Sequence, residues 1–133
     1  MAKKFIFGNW KMSQSLLSVF EFFENWNPKP QDGAEVAIFP SFVHLQLSAS
    51  KIKEHQRNLL FGAQDCSTEE KGAFTGEVSA WMIKEIGAKY VLIGHSERRL
   101  RVPETESSLR KKLEQAFKAG LIPVYCLGET EAE

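Results

Sequence analysis

The chain has little of what usually betrays chemistry in a sequence. Only two of its 133 residues are cysteines. Cys66 and Cys126 lie far apart, form no CxxC pair and have no histidine at metal-ligand spacing. That excludes a disulfide framework and a zinc site, and leaves two reduced, packed thiols in a cytoplasmic protein as the expectation. The glycine patterns GxGxxG and GxxxxGK[ST] are missing, which removes support for a dinucleotide or P-loop site. No GxSxG elbow is present, so an esterase-type nucleophile has no place to sit. Seventeen basic residues balance seventeen acidic ones, and with no net charge there is no electrostatic reason to expect nucleic acid or an anionic membrane as partner. No apolar run approaches membrane-spanning length. Met1–Phe7 starts like a signal peptide, but Gly8-Asn9-Trp10-Lys11 breaks the run too early for one.

What is there alternates. Phe5-Ile6-Phe7 reads as a strand; Ser13 can cap a helix carrying Leu16, Leu17, Phe20 and Phe23, ended by Asn27-Pro28-Lys29-Pro30. Glu35–Phe39 is a second strand, and Pro40-Ser41 leads into a helix with Leu45, Ala49 and Ile52 on one face. Leu59–Ala63 is a third strand. From Gln64 to Glu77 the pattern stops, and a connection of that length in a compact domain is usually functional or disordered. A third helix carries Val78, Trp81, Met82 and Ile86 and stops at Gly87. Tyr90–Ile93 is a short apolar strand. After Pro103 a helix with Leu109, Leu113, Ala116 and Phe117 ends at Gly120, and Leu121–Leu127 is a fifth strand before a polar tail.

This order, one domain over residues 1–133 with short connections almost throughout, implies parallel strands joined by right-handed crossover helices. In an open doubly wound sheet of flavodoxin type or in a barrel, ligands bind at the carboxyl ends of the strands. Asn9, Lys11, Gln64, Asp65, His95, Glu97 and Glu129 all fall at or just past such ends.

Tyr90–Arg99, YVLIGHSERR, concentrates the chemistry. His95 follows a strand, Ser96 is the expected helix cap, and Glu97 falls in the first turn, where the positive end of the helix dipole opposes a second proton on the imidazole. A neutral imidazole there can donate a hydrogen bond to a carbonyl and pass a proton in both directions. The plainer alternative is a buried histidine beside a capped helix. Lys11 is either an exposed lysine or a fixed cation for an anionic substrate. Asn9 either stops a strand or orients Lys11, and Glu97 is either a dipole acid or part of a network.

FIFGNWKM (5–12), GAFTGE (72–77), YVLIGHSERR (90–99) and PVYCLGE (123–129) resemble, in order and spacing, the successive motifs of the triosephosphate isomerase family. The resemblance implies a (β/α)8 barrel, with about five strands and four helices in this chain, and interconversion of dihydroxyacetone phosphate and glyceraldehyde 3-phosphate with neither metal nor organic cofactor. By the same resemblance Lys11 faces the phosphate-bearing substrate beside Asn9. His95 polarises the carbonyl and shuttles protons between the oxygens of the ene-diolate, and Glu97 supports the network around Lys11. A neutral histidine is a known property of that family, so the argument from the helix start agrees with it without being independent of it.

The family's Gly72–Glu77 loop enters the other subunit of a homodimer, with Thr75 approaching that subunit's Asn9 and Lys11, and Glu77 pairing with its Arg98. Two departures stand out. Leu100-Arg101-Val102-Pro103 replaces a stretch where the family usually has a glycine before the acid matched by Glu104, and Glu106 stands where aspartate is common. Pro103 fixes φ where glycine is free.

A barrel of this kind usually takes about 250 residues and eight strands. The family's glutamate base, lid and phosphate loops lie in its later strands, so a complementary C-terminal half is the expected partner. A non-catalytic half-barrel assembly module is the alternative, although assembly by itself requires none of Asn9, Lys11, His95 or Glu97.

Overall fold

The computed structural model describes residues 3–27, 33–55 and 58–128. Glu129 with the expected polar tail, and the prolines expected to end the first helix, lie outside them. Strands and helices alternate: β1 (Lys4–Asn9), α1 (Leu16–Asn25), β2 (Ala34–Phe39), α2 (Phe42–Glu54), β3 (Leu60–Ala63), α3 (Ala80–Glu85), β4 (Tyr90–Ile93), α4 (Ser96–Arg101), α5 (Glu106–Lys118) and β5 (Ile122–Tyr125). The six-residue α4, which follows His95 directly, makes five helices among the described residues where about four were expected.

All neighbouring strands pair in parallel, in the order β1-β2-β3-β4-β5. A doubly wound sheet reverses its order at a switch point, and this one never does. The flavodoxin-like alternative is therefore overturned: successive right-handed crossovers onto the same side put α1, α2, α3 and α5 on one face.

The strands are apolar on both faces, as in parallel sheets; those helices cover one face, while the other is packed at its centre by the strands' own side chains and left half-exposed at Phe5, Phe7 and Ile122. Ile38, Phe61, Ala63, Val91 and Ile93 pack with Val19, Phe23, Leu45, Ile83, Leu109 and Ala116 from the helices. Their sequence neighbours Ala37, Phe39, Tyr90 and Leu92 form a second cluster on the opposite face. On that second face the Phe7 ring of β1 lies 5.0 Å from the Tyr90 ring of β4. Three strand spacings in a flat sheet would separate them by about 14 Å. The sheet is thus curled, concave toward this aromatic cluster, with the helices on its convex side.

Gly62 in β3 permits the curl. A Cβ there would stand 2.6 Å from both the Phe39 ring and the Tyr90 carbonyl oxygen, and a carbonyl cannot move aside without separating β3 from β4. Gly62→Ala is therefore expected to cost about 1–3 kcal/mol, read as a lower urea midpoint. A change below about 0.5 kcal/mol, the range of an ordinary surface substitution, would mean that β3 and β4 separate freely.

Several expectations about helix faces need correction. The N-cap of α1 is Ser15, in a reciprocal capping box with Ser18, rather than Ser13. Val19 and Phe23 are its buried residues, and Leu16, Leu17 and Phe20 are exposed. Trp10 reaches over from the first loop to pack edge-on against Phe22 at 4.8 Å, and this turns the helix. In α3 the Ser79 cap sets the phase so that Ala80 and Ile83 point inward, leaving Trp81 and Met82 half-exposed. In α5 Leu109 and Ala116 are buried while Phe117 faces out.

Candidate active site

The first loop starts with a backbone conformation that its residue disfavours. Lys11 has φ 53°, and no other non-glycine among the described residues has a positive φ. For a side chain with a Cβ this region is uncommon. The chain is held there from both sides. The Asn9 Oδ1 accepts the Lys11 N–H at 3.0 Å, and the Gln64 Nε2 donates to the Lys11 carbonyl at 2.8 Å. The same Nε2 donates to the Phe39 carbonyl at 2.8 Å, tying the first loop to the end of β2.

From this turn the Lys11 ammonium reaches the Glu97 Oε1 at 2.7 Å, across the rim from β1 to the end of β4. Both side chains are about half-exposed, so the pair contributes little to stability; its importance is geometric. The hydrogen bond from Lys11 holds the Glu97 carboxyl below its ordinary range, its slight desolvation opposing.

At the end of β4, Gly94 turns with φ 72° and His95 follows. The N-cap of α4 is His95 and not Ser96, as the sequence had suggested: its Nδ1 accepts the Glu97 N–H at 3.3 Å. Ser96 is already helical, and the ring nitrogen fills the place a cap oxygen would take. An imidazole that accepts at Nδ1 carries its proton on Nε2. The Glu97 Oε2 lies 3.6 Å from the same Nδ1. Asn9, Lys11, Glu97 and His95 thus form one chain of contacts at the carboxyl ends of β1 and β4, joined at the Lys11 turn to Gln64 past the end of β3.

Beside this rim lies a network that the sequence reading missed. The Lys112 ammonium of α5 donates to Asp65 at 2.8 and 2.9 Å and to the Glu104 Oε1 at 2.5 Å. Arg98 bridges the same two acids, at 3.0 Å to each. Burial would raise Glu104, but hydrogen bonds from Lys112 and Arg98 outweigh it and hold its carboxyl low. Asp65 is pushed up, because its burial exceeds what Lys112 and Arg98 return. Lys112 is raised: burial alone would lower it, and hydrogen bonds to both acids prevail. One signal was available in the sequence, since Lys112 falls on the helix face defined by Leu109 and Ala116.

Pro103 has a definite effect here. Val102, the residue before it, is extended with φ −123° and ψ 132°, as a residue before proline prefers. That ends α4 and delivers Glu104 to the network.

Thr75 and Glu77 are exposed on the Gln64–Glu77 connection, which is anchored at its start by buried Asp65, Cys66 and Ser67. Both line a cavity of about 330 Å³ with Arg98, Glu104 and Lys112. Arg98 therefore already has two carboxylate partners in its own chain. Burial pushes the Cys66 thiol up to about 12, so it is inert as a nucleophile. Arg99 ties β4 to β5 by donating to the carbonyls of Gly94 and Cys126. Among the described residues, no group of three or more histidine, cysteine or acidic side chains could hold a metal, and no helix is long and apolar enough to cross a membrane.

A parallel sheet curled with its helices outside, bringing a lysine, a carboxylate and an imidazole together at its strands' carboxyl ends, defines the class: (β/α)-barrel proteins whose site lies on that rim. The chain belongs to the triosephosphate isomerase family, whose model matches residues 4–133. It is 45% identical over 131 residues to the triosephosphate isomerase of Thermoanaerobacter pseudethanolicus, covering 98% of this chain and 52% of that protein. With the Vibrio cholerae enzyme it shares 37% identity over its full length, again 52% of the relative. The crystal structure of triosephosphate isomerase from Bartonella henselae superposes with a TM-score of 0.81 at 34% identity, over 97% of this chain and 53% of that one. The chain spans about half the length of the relatives it matches.

Proposed function

We propose that this chain supplies the electrophilic half of a triosephosphate isomerase site, which interconverts dihydroxyacetone phosphate and glyceraldehyde 3-phosphate through an ene-diolate. The observation that carries the reading is the chain of contacts from the left-handed Lys11 through Glu97 to His95, 86 positions apart in sequence at its first link. In this reading the Lys11 ammonium attracts the substrate phosphate and Asn9 keeps the lysine turn in place. His95, with its Nδ1 taken by the Glu97 N–H, presents Nε2 to the substrate carbonyl. It gives up that proton as the oxyanion forms and recovers one from the neighbouring hydroxyl. Glu97 holds Lys11 and His95 in a common frame.

The carbon-bound proton must be taken by another group. The family's glutamate base belongs to its later strands, and in a whole barrel those strands complete the site. The reading also includes a homodimer in which the Gly72–Glu77 loop, with Thr75 and Glu77, closes over the other subunit's Asn9, Lys11 and Arg98 and excludes water there.

Isomerisation should be assayed with the 133-residue polypeptide alone, and again with a polypeptide carrying the later strands of a relative. No turnover above background is expected from the chain alone, with measurable turnover on mixing. Turnover by the chain alone would overturn the assignment of the base to another segment. A mixture that assembles but neither turns over nor binds a phosphate-bearing ene-diolate mimic would overturn the isomerase reading.

A further inference from the structure

We propose that Gln64 is a positioning residue for Lys11: its carboxamide locks the left-handed backbone from which the lysine's ammonium reaches the rim. The catalytic meaning of this rests on the isomerase reading; the geometry does not. Both partners of the Gln64 Nε2 are carbonyl oxygens, of Lys11 and of Phe39, each at 2.8 Å. Carbonyls only accept, so the amide can sit only with its two N–H donors toward them, one for each. The Phe39 carbonyl also receives the Trp10 N–H at 3.1 Å. The residue before Lys11 and Lys11's own carbonyl are therefore referenced to one atom at the end of β2.

Asn9 secures the other side, accepting the Lys11 N–H. Lys11 is the sole non-glycine with positive φ among the described residues, and its two flanking peptide groups are gripped by two carboxamides. A left-handed residue directs its side chain differently from an extended one, so loss of the grip redirects the ammonium away from Glu97.

Glutamate at position 64 would keep the shape but bring carboxylate oxygens against two carbonyls. Methionine would keep the bulk with no donor at all. Either substitution should release Lys11 while leaving Lys11, Glu97 and His95 themselves unchanged. Of the charged groups that act on Glu97, His95 and Arg101 lie on its own segment and are not touched by Gln64. A change in the Glu97 titration in Gln64→Met, which adds no charge, therefore reads the position of Lys11, and Gln64→Glu, whose new carboxylate itself repels Glu97, is judged by the Lys11 Cα shift.

The test uses the full chain and needs no turnover. The Glu97 carboxyl is titrated by carbon-13 NMR in the parent, in Gln64→Glu, in Gln64→Met, and in Lys11→Met as the reference for a missing ammonium. In Gln64→Met the Glu97 midpoint is expected to rise most of the way to the Lys11→Met value. In both Gln64 variants the Lys11 Cα shift should lose its left-handed signature. A folded Gln64→Met variant with both signals unchanged, or a folded Gln64→Glu variant with the Cα shift unchanged, would overturn the proposal.

A double-mutant cycle covers the case of poor folding. Glycine accepts φ 53° freely, so Gln64→Met should reduce the folding equilibrium constant several-fold less in a Lys11→Gly background than in the parent. Equal losses in the two backgrounds, or unfolding in both, would show that Gln64 serves the sheet in general and would overturn the proposal. Failure of the isomerase reading would appear separately, in the complementation assay, where the Glu97 midpoint plays no part.

Discussion

Replacing Lys112 with methionine is expected to destabilise the chain by about 3–5 kcal/mol at pH 7, a factor of about 10² to 10⁴ in the folding equilibrium constant. The cause is what remains behind. Methionine fills the volume of the lysine stem, but Asp65 and Glu104, whose side chains are 11% and 3% exposed, would then share Arg98 as their remaining cation. Two carboxylates taken from water with one partly exposed guanidinium between them are under-compensated, and removing one member of a buried pair costs far more than removing a surface one.

The pH dependence separates charge from packing. In the parent, Glu104 is held below its usual 4.5, so its stabilisation is present above that value and is lost as the pH falls through its lower folded value. Asp65 is raised above 3.8 and acts in the opposite sense: its contribution is present below 3.8 and lost as the pH rises through its folded value. Lys112 is raised above 10.5, so its contribution is complete below 10.5 and is lost only in stronger base. In Lys112→Met both acids rise, since burial then dominates. The deficit measured by urea denaturation should therefore shrink from pH 7 toward pH 4. A deficit of the same size at both pH values would assign the effect to packing of the stem.

In an enzyme completed by the later strands, His95→Gln is expected to lower kcat by about 10² to 10⁴, with a smaller change in KM. Glutamine can still donate a hydrogen bond from near the position of Nε2, but it cannot give up a proton to one substrate oxygen and recover it from the other. The loss should therefore fall on the chemical step and not on binding. Lys11→Met is expected to fall mainly on KM, because in the proposed reading its ammonium attracts the phosphate and takes no part in the proton transfers. Steady-state kinetics of the two variants side by side make the comparison. A loss of less than tenfold in kcat for His95→Gln would take the imidazole out of the proton path.

The two predictions concern residues that differ in how plainly they could be read. His95, Lys11, Asn9 and Glu97 stood out because each follows a short apolar strand, and the alternation of elements puts all such positions on one rim. Tyr90–Ile93 was legible to the residue, being a compact apolar run between Gly87 and Gly94. Serine occurs at both positions 13 and 15, and only the course of the first loop, with Trp10 laid against Phe22, decides where the helix can start. Hydrophobicity alone points Trp81 and Met82 to the buried face. The Ser79 cap and the place of α3 on the sheet turned them outward.

The sequence by itself determined the number and order of the strands, their parallel direction and the rim on which the polar residues collect, because these follow from local periodicity and the handedness of the crossovers. The tertiary structure alone decided the curl of the sheet, the contact of Lys11 with Glu97, the grip of Gln64 on the lysine's backbone and the burial of Lys112 between Asp65 and Glu104. Apart from the Lys112–Glu104 link, eight positions long, the hydrogen bonds among these join residues 47 to 86 positions apart, and one of them depends on a backbone angle that lysine disfavours. Local propensity carries no information about such pairs, because their energies exist only once the strands have closed around one another.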